Sequence, residues 1–271
     1  MIPAARFRAT LVRMPEPSTG ARRGEYGYDA PYALLAFAGI GTALAIAAGV
    51  AWWRHAGRGA TILTGYAVFC LANAASFLYT TRRGKFVVWD RILDGLRLRG
   101  DEAVLDMGCG RGLVLIKVAR RLTAGRATGI DLWSTADQSS NAREATLQNA
   151  SIEGVADRIE VQTGDMRTMP FAPASFDLVV SSLAIHNIPS TAGRAQAVTE
   201  AWRVVKPGGR LAIADIRSTS AYARTLRDLG AADVVRTGLG WRFWYGNPMA
   251  GTSLITASKP QGTNADQPAR P

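Results

Sequence analysis

The sequence predicts an α/β protein built on a mostly parallel sheet and preceded by two transmembrane helices. Three observations predict it. Charge-free apolar runs of membrane length occupy residues 31–53 and 60–80. Beyond them, short β-type runs alternate with helical stretches, the pattern of a parallel sheet with crossover helices. At residues 104–115, VLDMGCGRGLVL, a strand-like run ends in Asp106 and passes through a glycine turn into a helix.

A chain of 271 residues has room for one α/β domain and an appendage. Its net charge of +11 is unevenly spread. Residues 1–100 hold 13 Lys and Arg against 5 Asp and Glu, whereas residues 101–271 hold 19 against 16. Basicity confined to the apolar N-terminal third points to a membrane surface rather than a nucleic-acid groove. The two cysteines, Cys70 and Cys109, make no disulfide framework and no C-x-x-C metal pair, so no metal site is expected. They suit a reduced, cytosol-facing protein.

Residues 1–30 read as a basic, disordered tail. The run 31–53, PYALLAFAGIGTALAIAAGVAWW, is roughly 34 Å long as a helix and ends in two interfacial tryptophans. The run 60–80 has Asn73 as its one strongly polar residue, and six residues, RHAGRG, separate the two. So short a link predicts an antiparallel hairpin. Small residues such as Gly39, Gly41, Ala45, Gly49, Ala72 and Ala74 suit close helix packing. Asn73 either bonds across the pair or makes a packing or water contact. Arg22 and Arg23 before the first span, and Arg82, Arg83, Lys85 and Arg91 after the second, outnumber Arg54 and Arg58 in the link. The positive-inside bias therefore places both termini and the following domain in the cytoplasm. Residues 85–98, KFVVWDRILDGLRL, form an amphipathic helix, seated beside the cofactor site or on the membrane surface.

Residues 81–260 form the second domain, followed by a polar tail at 261–271. Seven strands are expected, at 103–107, 127–132, 159–163, 176–181, 209–216, 232–237 and 253–258. Helices are expected at 113–122, 139–153, 192–205 and 221–229, with an irregular link between the last two strands.

The glycine turn carries the chemistry. Gly108, Gly110 and Gly112 let backbone approach a ligand closely, and the helix that follows offers N–H groups. The dinucleotide fingerprint would need glycine where Leu113 stands, which disfavours a dehydrogenase. With Asp106 two residues ahead, this turn resembles that of the class I S-adenosylmethionine (SAM) dependent methyltransferases, closest to the ubiquinone/menaquinone C-methyltransferase-like group. The resemblance covers about residues 84–260 and implies a Rossmann-like seven-stranded sheet with its last strand antiparallel. It implies SAM as cofactor. Asp106 would bind or orient the methionine end, with backbone contacts from Gly108, Cys109, Gly110 and Gly112. Asp131, closing the GID run, would accept the ribose hydroxyls, and Leu132 would pack on the adenine. Asp165 and the backbone of Met166 would meet the adenine edge, with Ser181 also on the cofactor side.

Residues 181–189, SSLAIHNIP, hold His186 and Asn187 where that family meets its acceptor. His186 is either a general base near neutral pH or a side chain bonding its loop. The [DN]PP[YFW] motif of N6-adenine methyltransferases is missing here, as is a Pro-Cys nucleophile for cytosine C5. Nucleic acid is therefore not an expected partner. Residues 169–171, Met-Pro-Phe, and 202–209, WRVVKPGG, match family elements read as architecture. Trp241, Phe243, Trp244 and Tyr245 line an acceptor pocket, touch lipid, or serve core or hairpin packing. The expected activity is methyl transfer from SAM to a small, hydrophobic or lipid-like acceptor at the bilayer. The alternatives are an anchored protein or RNA methyltransferase and a non-catalytic SAM-binding membrane protein. Oligomeric state is not readable from these residues.

Overall fold

A computed structural model describes residues 23–261. The chain runs through α1 (Pro31–Trp53), α2 (Gly57–Tyr79), a π-helical turn (Thr80–Gly84) and α3 (Lys85–Leu96). It continues through β1 (Ala103–Met107), α4 (Leu113–Ala119), β2 (Arg126–Asp131), α5 (Arg143–Ile152) and β3 (Ile159–Thr163). Then follow β4 (Phe176–Ser182), α6 (Thr191–Val204), β5 (Val205–Asp215), α7 (Thr219–Asp228), β6 (Ala232–Gly238) and β7 (Ser253–Ser258).

The seven strands form one sheet in the order β3-β2-β1-β4-β5-β7-β6. Neighbours from β3 to β5 are parallel, and β7 runs antiparallel to both β5 and β6. The inner strands are apolar on both faces because both are covered. Alternation along β1 assigns its side chains. Val104 joins the core under α3 and α4, with Trp89, Ile92, Leu93 and Val114. Leu105 and Met107 join the core under α6 and α7, with Val198, Trp202, Tyr222 and Leu226. β5 starts at Val205, earlier than expected, because Val205 pairs with Phe176 before the register shifts at a bulge. Arg203 ties the WRVVKPGG element to Met-Pro-Phe through the carbonyls of Met169 and Phe171, as architecture should.

The hairpin differs from expectation in three ways. Its link shrinks to residues 54–56. The α1–α2 seam is not the general scatter of small residues but a seven-residue repeat: Ala60, Ala67 and Ala74 on one helix, Gly41 and Ala48 on the other. A side chain at Gly41 would press on Leu71. Thirdly, α2 does not stop at residue 80. It continues through the π turn into α3, and Trp89 is buried, bonding Ser182 Oγ through Nε1. α3 thus packs on the sheet domain, tied to α4 by Lys117–Asp90 and Arg121–Asp94 ion pairs.

The expected disordered tail also needs correction from Arg23 onward; residues 1–22, like 262–271, lie outside the described residues. Residues 23–30 form a strap over the sheet domain. Glu153 accepts from the backbone of Arg23 and Gly24, and Asn149 accepts from Glu25. Tyr26 is buried, and Asp29 pairs with Gln138 as an isolated bridge. The Asp29 carboxylate then gathers Lys85 Nζ (2.7 Å), Thr81 Oγ1 (3.0 Å) and Tyr245 OH (2.7 Å), joining strap, π turn, α3 and the β6–β7 connection.

Candidate active site

The site lies at the carboxyl ends of β1, β2, β4 and β5, where open α/β sheets bind ligands. Asp106 shares its face of β1 with Val104, so its carboxyl points under α4 and is buried. Neither carboxylate oxygen makes a well-aligned hydrogen bond, although the Leu115 amide lies close enough to act on the group. Burial pushes its pKa from 3.8 to about 8, partly offset by the Leu115 amide and reinforced by Asp131.

The turn that follows is shaped by its glycines. Gly108, Gly110 and Gly112 all have positive φ. A Cβ at Gly108 would fall 2.2 Å from that of Ala184, so β4's loop and the glycine turn touch. The turn's N–H groups are already committed: Gly108 and Cys109 donate to the Ile130 carbonyl, Gly110 to Asp131 Oδ2, Arg111 to Gln138 Oε1 and Gly112 to the Cys109 carbonyl. The turn therefore offers room rather than donors. It is no anion nest, and the buried carboxylate beneath it favours a cationic ligand group. Cys109 itself is buried, and burial, then Asp106, hold its thiol well above the ordinary range, so it is no nucleophile.

Asp131 accepts from Gly110 N (2.8 Å), Trp133 N (2.6 Å) and Asn141 Nδ2 (3.3 Å). It braces the turn and is only half-buried, with capacity left on its oxygens. Leu132 is exposed beside it, as an apolar platform open to a ligand would be. Asp165 is held by Arg167 in a forked pair, which keeps its carboxyl below the usual range; Met166 lies next to it, half-buried. Ser181 stands apart from the other residues. It is fully buried, and its hydroxyl donates to the Met107 carbonyl, a bond between strands rather than a ligand contact.

His186 is half-buried, with Nδ1 2.6 Å from Asp215 Oδ1. Asp215 Oδ2 also accepts from the His186 amide (3.1 Å) and from Tyr222 OH (3.3 Å). Burial and Asp215 drive the Tyr222 phenol far above its usual range, so it stays a donor. Asn187 is exposed at the same loop. Asp215 was missed from sequence, although a signal existed: it closes β5 as IAD, just as Asp106 and Asp131 close β1 and β2. Gln138 was missed too. It binds the turn at Arg111 N and the strap at the Tyr26 carbonyl, a link no local pattern announces.

Among the described residues no cluster of His, Cys, Asp or Glu could hold a metal ion. Of the four aromatics after β6, Phe243 and Tyr245 are core, Tyr245 meeting Phe77 edge-on. Trp241 is exposed and stacked on Tyr79.

Residues 105–213, which span the glycine turn and all of β2 to β4, match the family described as Methyltransferase domain. The chain carries a class I SAM-dependent methyltransferase domain. It is 35% identical over 117 residues to a demethylmenaquinone methyltransferase of Lactiplantibacillus plantarum, covering 43% of this chain and 46% of that one. It is 31% identical over 147 residues to the 27-O-demethylrifamycin SV methyltransferase of Amycolatopsis mediterranei, covering 52% and 50%. The chain thus spans about half the length of the curated relatives it matches. Among solved structures, a geranyl diphosphate methyltransferase in complex with SAM superposes with a TM-score of 0.54 at 15% identity, over 66% of this chain and 87% of that one. The [4+2]-cyclase SpnF superposes at 0.53 and 20% identity, over 65% and 82%. At such identities the likeness is one of fold, and a cyclase among the neighbours shows that fold alone does not name a reaction.

Proposed function

We propose that this protein is a membrane-anchored methyltransferase that moves a methyl group from SAM to a small, hydrophobic or lipid-like acceptor. The observation that carries the reading is Asp106: a buried carboxyl with no well-aligned hydrogen bond, under a glycine turn whose amides are all spent. Such a site selects a ligand that brings positive charge and needs close backbone approach, and SAM carries both an ammonium and a sulfonium.

When bound, SAM supplies a methyl group already activated by its sulfonium, so the protein's part is largely positioning. Asp106 holds the cationic end. Asp131 uses its remaining lone pairs for the ribose hydroxyls, Asp165 and the Met166 amide take the adenine edge, and Leu132 covers its face. Gly108, Cys109, Gly110 and Gly112 shape the cradle. His186, with Nδ1 held by Asp215, presents Nε2 to the acceptor and takes its proton when the methylated atom carries one. Asn187 flanks the acceptor. Asp215 acts through His186 and is a positioning residue.

Anchoring rests on α1 and α2, two helices long and apolar enough to cross a membrane. Charge bias orients both ends of the hairpin, and the catalytic domain with them, to the cytoplasm. A lipid-like acceptor follows from that tether, and the relatives act on quinones and other small molecules by their names.

The test is calorimetric titration of SAM and S-adenosylhomocysteine into the full chain in detergent, followed by labelled-methyl transfer to lipid extracts and to soluble metabolites. Micromolar binding, weakened at least about tenfold in Asp131→Ala, is expected. Label should enter the lipid fraction. Absence of binding by folded protein overturns the cofactor assignment, and label only in soluble metabolites overturns the lipid-like acceptor.

A further inference from the structure

The β6–β7 connection follows α2 in register, and this is unusual for a loop of a sheet domain. Near the domain end, Gly84 lies against Arg242, where a Cβ would strike the Arg242 carbonyl oxygen. One turn on, Thr80 Oγ1 donates to the Trp244 carbonyl. Next, Phe77 meets Tyr245 edge-on at 4.9 Å. Last, Asn247 Nδ2 donates to Asn73 Oδ1 at 2.9 Å, while Asn73 Nδ2 donates back to Phe69 within its own helix. From Gly84 to Asn73 the connection therefore accompanies roughly 16 Å of helix. Asn73 sits about 12 Å inside the charge-free run that ends at Thr81.

Length decides where that places the loop. A bilayer's apolar layer is about 30 Å thick. Gly41 packs on Leu71 and Cys70, so the level of Asn73 on α1 is near Gly39. If the membrane began beyond the loop, α1 from there to Trp53 would supply only about 21 Å and α2 about 24 Å. Both are too short. The apolar surface also does not end at that level: Tyr32, Leu35 and Ile40 on α1 remain exposed on the domain side of the hairpin or level with the loop.

The connection itself is built for an apolar medium. Between Trp241 and Gly251 its only charge is Arg242, which lies at the domain end over the Trp241 ring at 4.6 Å. The amides of Phe243, Trp244, Tyr245, Met249 and Ala250 all donate within the connection. With Pro248 lacking an N–H, Gly246 and Asn247 are the residues of 244–250 whose amides have no such internal partner, so most of the segment's donors are already spent, as an apolar medium favours. At the tip, Met249 is 94% exposed among the described residues.

We propose that residues 244–250 of the β6–β7 connection are embedded in the apolar layer of the bilayer beside α2. The inference rests on the membrane-anchored reading above. It also places the reaction. Asp215 at the end of β5 pairs with Ser253 at the start of β7, so the embedded loop leaves the sheet at the edge that holds His186 and Asp215. An acceptor dissolved in the leaflet then meets the site without crossing water.

The experiment labels single cysteines in the full chain with an environment-sensitive fluorophore, after Cys70→Ala and Cys109→Ala, in phosphatidylcholine vesicles with and without spin-labelled acyl chains. The positions are Met249→Cys, Ile46→Cys on the outer half of α1, and Asp157→Cys on the exposed turn before β3. Quenching at Met249→Cys as strong as at Ile46→Cys, with none at Asp157→Cys, is the expected result. If Ile46→Cys is quenched and Met249→Cys behaves like Asp157→Cys, the anchor stands and the embedded loop is overturned. If Ile46→Cys is not quenched, the anchor itself fails and the loop with it. Met249 is so exposed that its replacement leaves folding intact, which circular dichroism checks.

Discussion

The hairpin and the sheet domain are both rich in Ala, Leu, Ile and Val, yet they spend these side chains in opposite ways. In the sheet domain Leu105, Met107, Val179 and Ile213 are fully buried between strands and helices. In the hairpin Leu35, Ile46, Ile62 and Val68 are each more than half exposed, and apart from Asn73 and Phe77 at the domain end a narrow seam of Gly41, Ala48, Ala60, Ala67 and Ala74 is what is closed. Contiguous apolar surface of that extent marks an interaction face. One region is closed by its own contacts, and the other keeps an apolar face that the proposed bilayer would cover.

The junction between the two regions is neither, and it should be the most sensitive place. Asp29→Ala leaves the buried Lys85 ammonium without its partner and strips an acceptor from Thr81 and Tyr245. A loss of about 3–5 kcal/mol is expected, read as a lower thermal midpoint of the purified chain. A matched pair tests the comparison directly. Leu105→Ala should cost about 2–5 kcal/mol, whereas Leu35→Ala should change stability by less than about 0.5 kcal/mol in detergent. Similar losses at the two positions would mean that the hairpin's outer face is packed after all.

The cofactor end offers a pH test. The Asp106 carboxyl is raised to about 8 by burial, so the free protein keeps its proton at neutral pH. A raised acid favours the folded state below pH 3.8, and that contribution fades as pH climbs to about 8. A cationic ligand needs the ionised form. SAM binding at pH 7 should therefore release a proton, visible as a buffer-dependent binding enthalpy that Asp106→Asn removes. A smaller loss than at Asp29 or Leu105 is expected at Asn247→Leu. Losing one hydrogen bond to Asn73 should cost about 1 kcal/mol, with the sheet domain otherwise intact.

A chain cut at Arg82 would lose part of this junction. It would lack Tyr26 and Phe77 from the core and Asp29 from beside Lys85.

Much was readable from sequence because it is local. Strand periodicity, apolar run length and the glycine turn each depend on neighbours a few residues apart, and β1, β3 and β7 fall where the pattern puts them. The acids that close β1, β2 and β5 follow the same logic, since a strand ending in a carboxylate delivers it to the ligand edge of the sheet. Other features depend on partners far along the chain. Ser181 bonds Met107, Asp215 holds His186, Gln138 joins the turn to a strap more than a hundred residues earlier, and Asn73 pairs with Asn247. By itself the sequence determined the strands, the two apolar helices and the cofactor turn, because hydrophobic periodicity and glycine's backbone freedom act within a single segment. Only tertiary structure decided which polar groups are spent on one another and which, like Asp106, are buried without a well-aligned partner. That outcome depends on how segments distant in the chain share the same small volume.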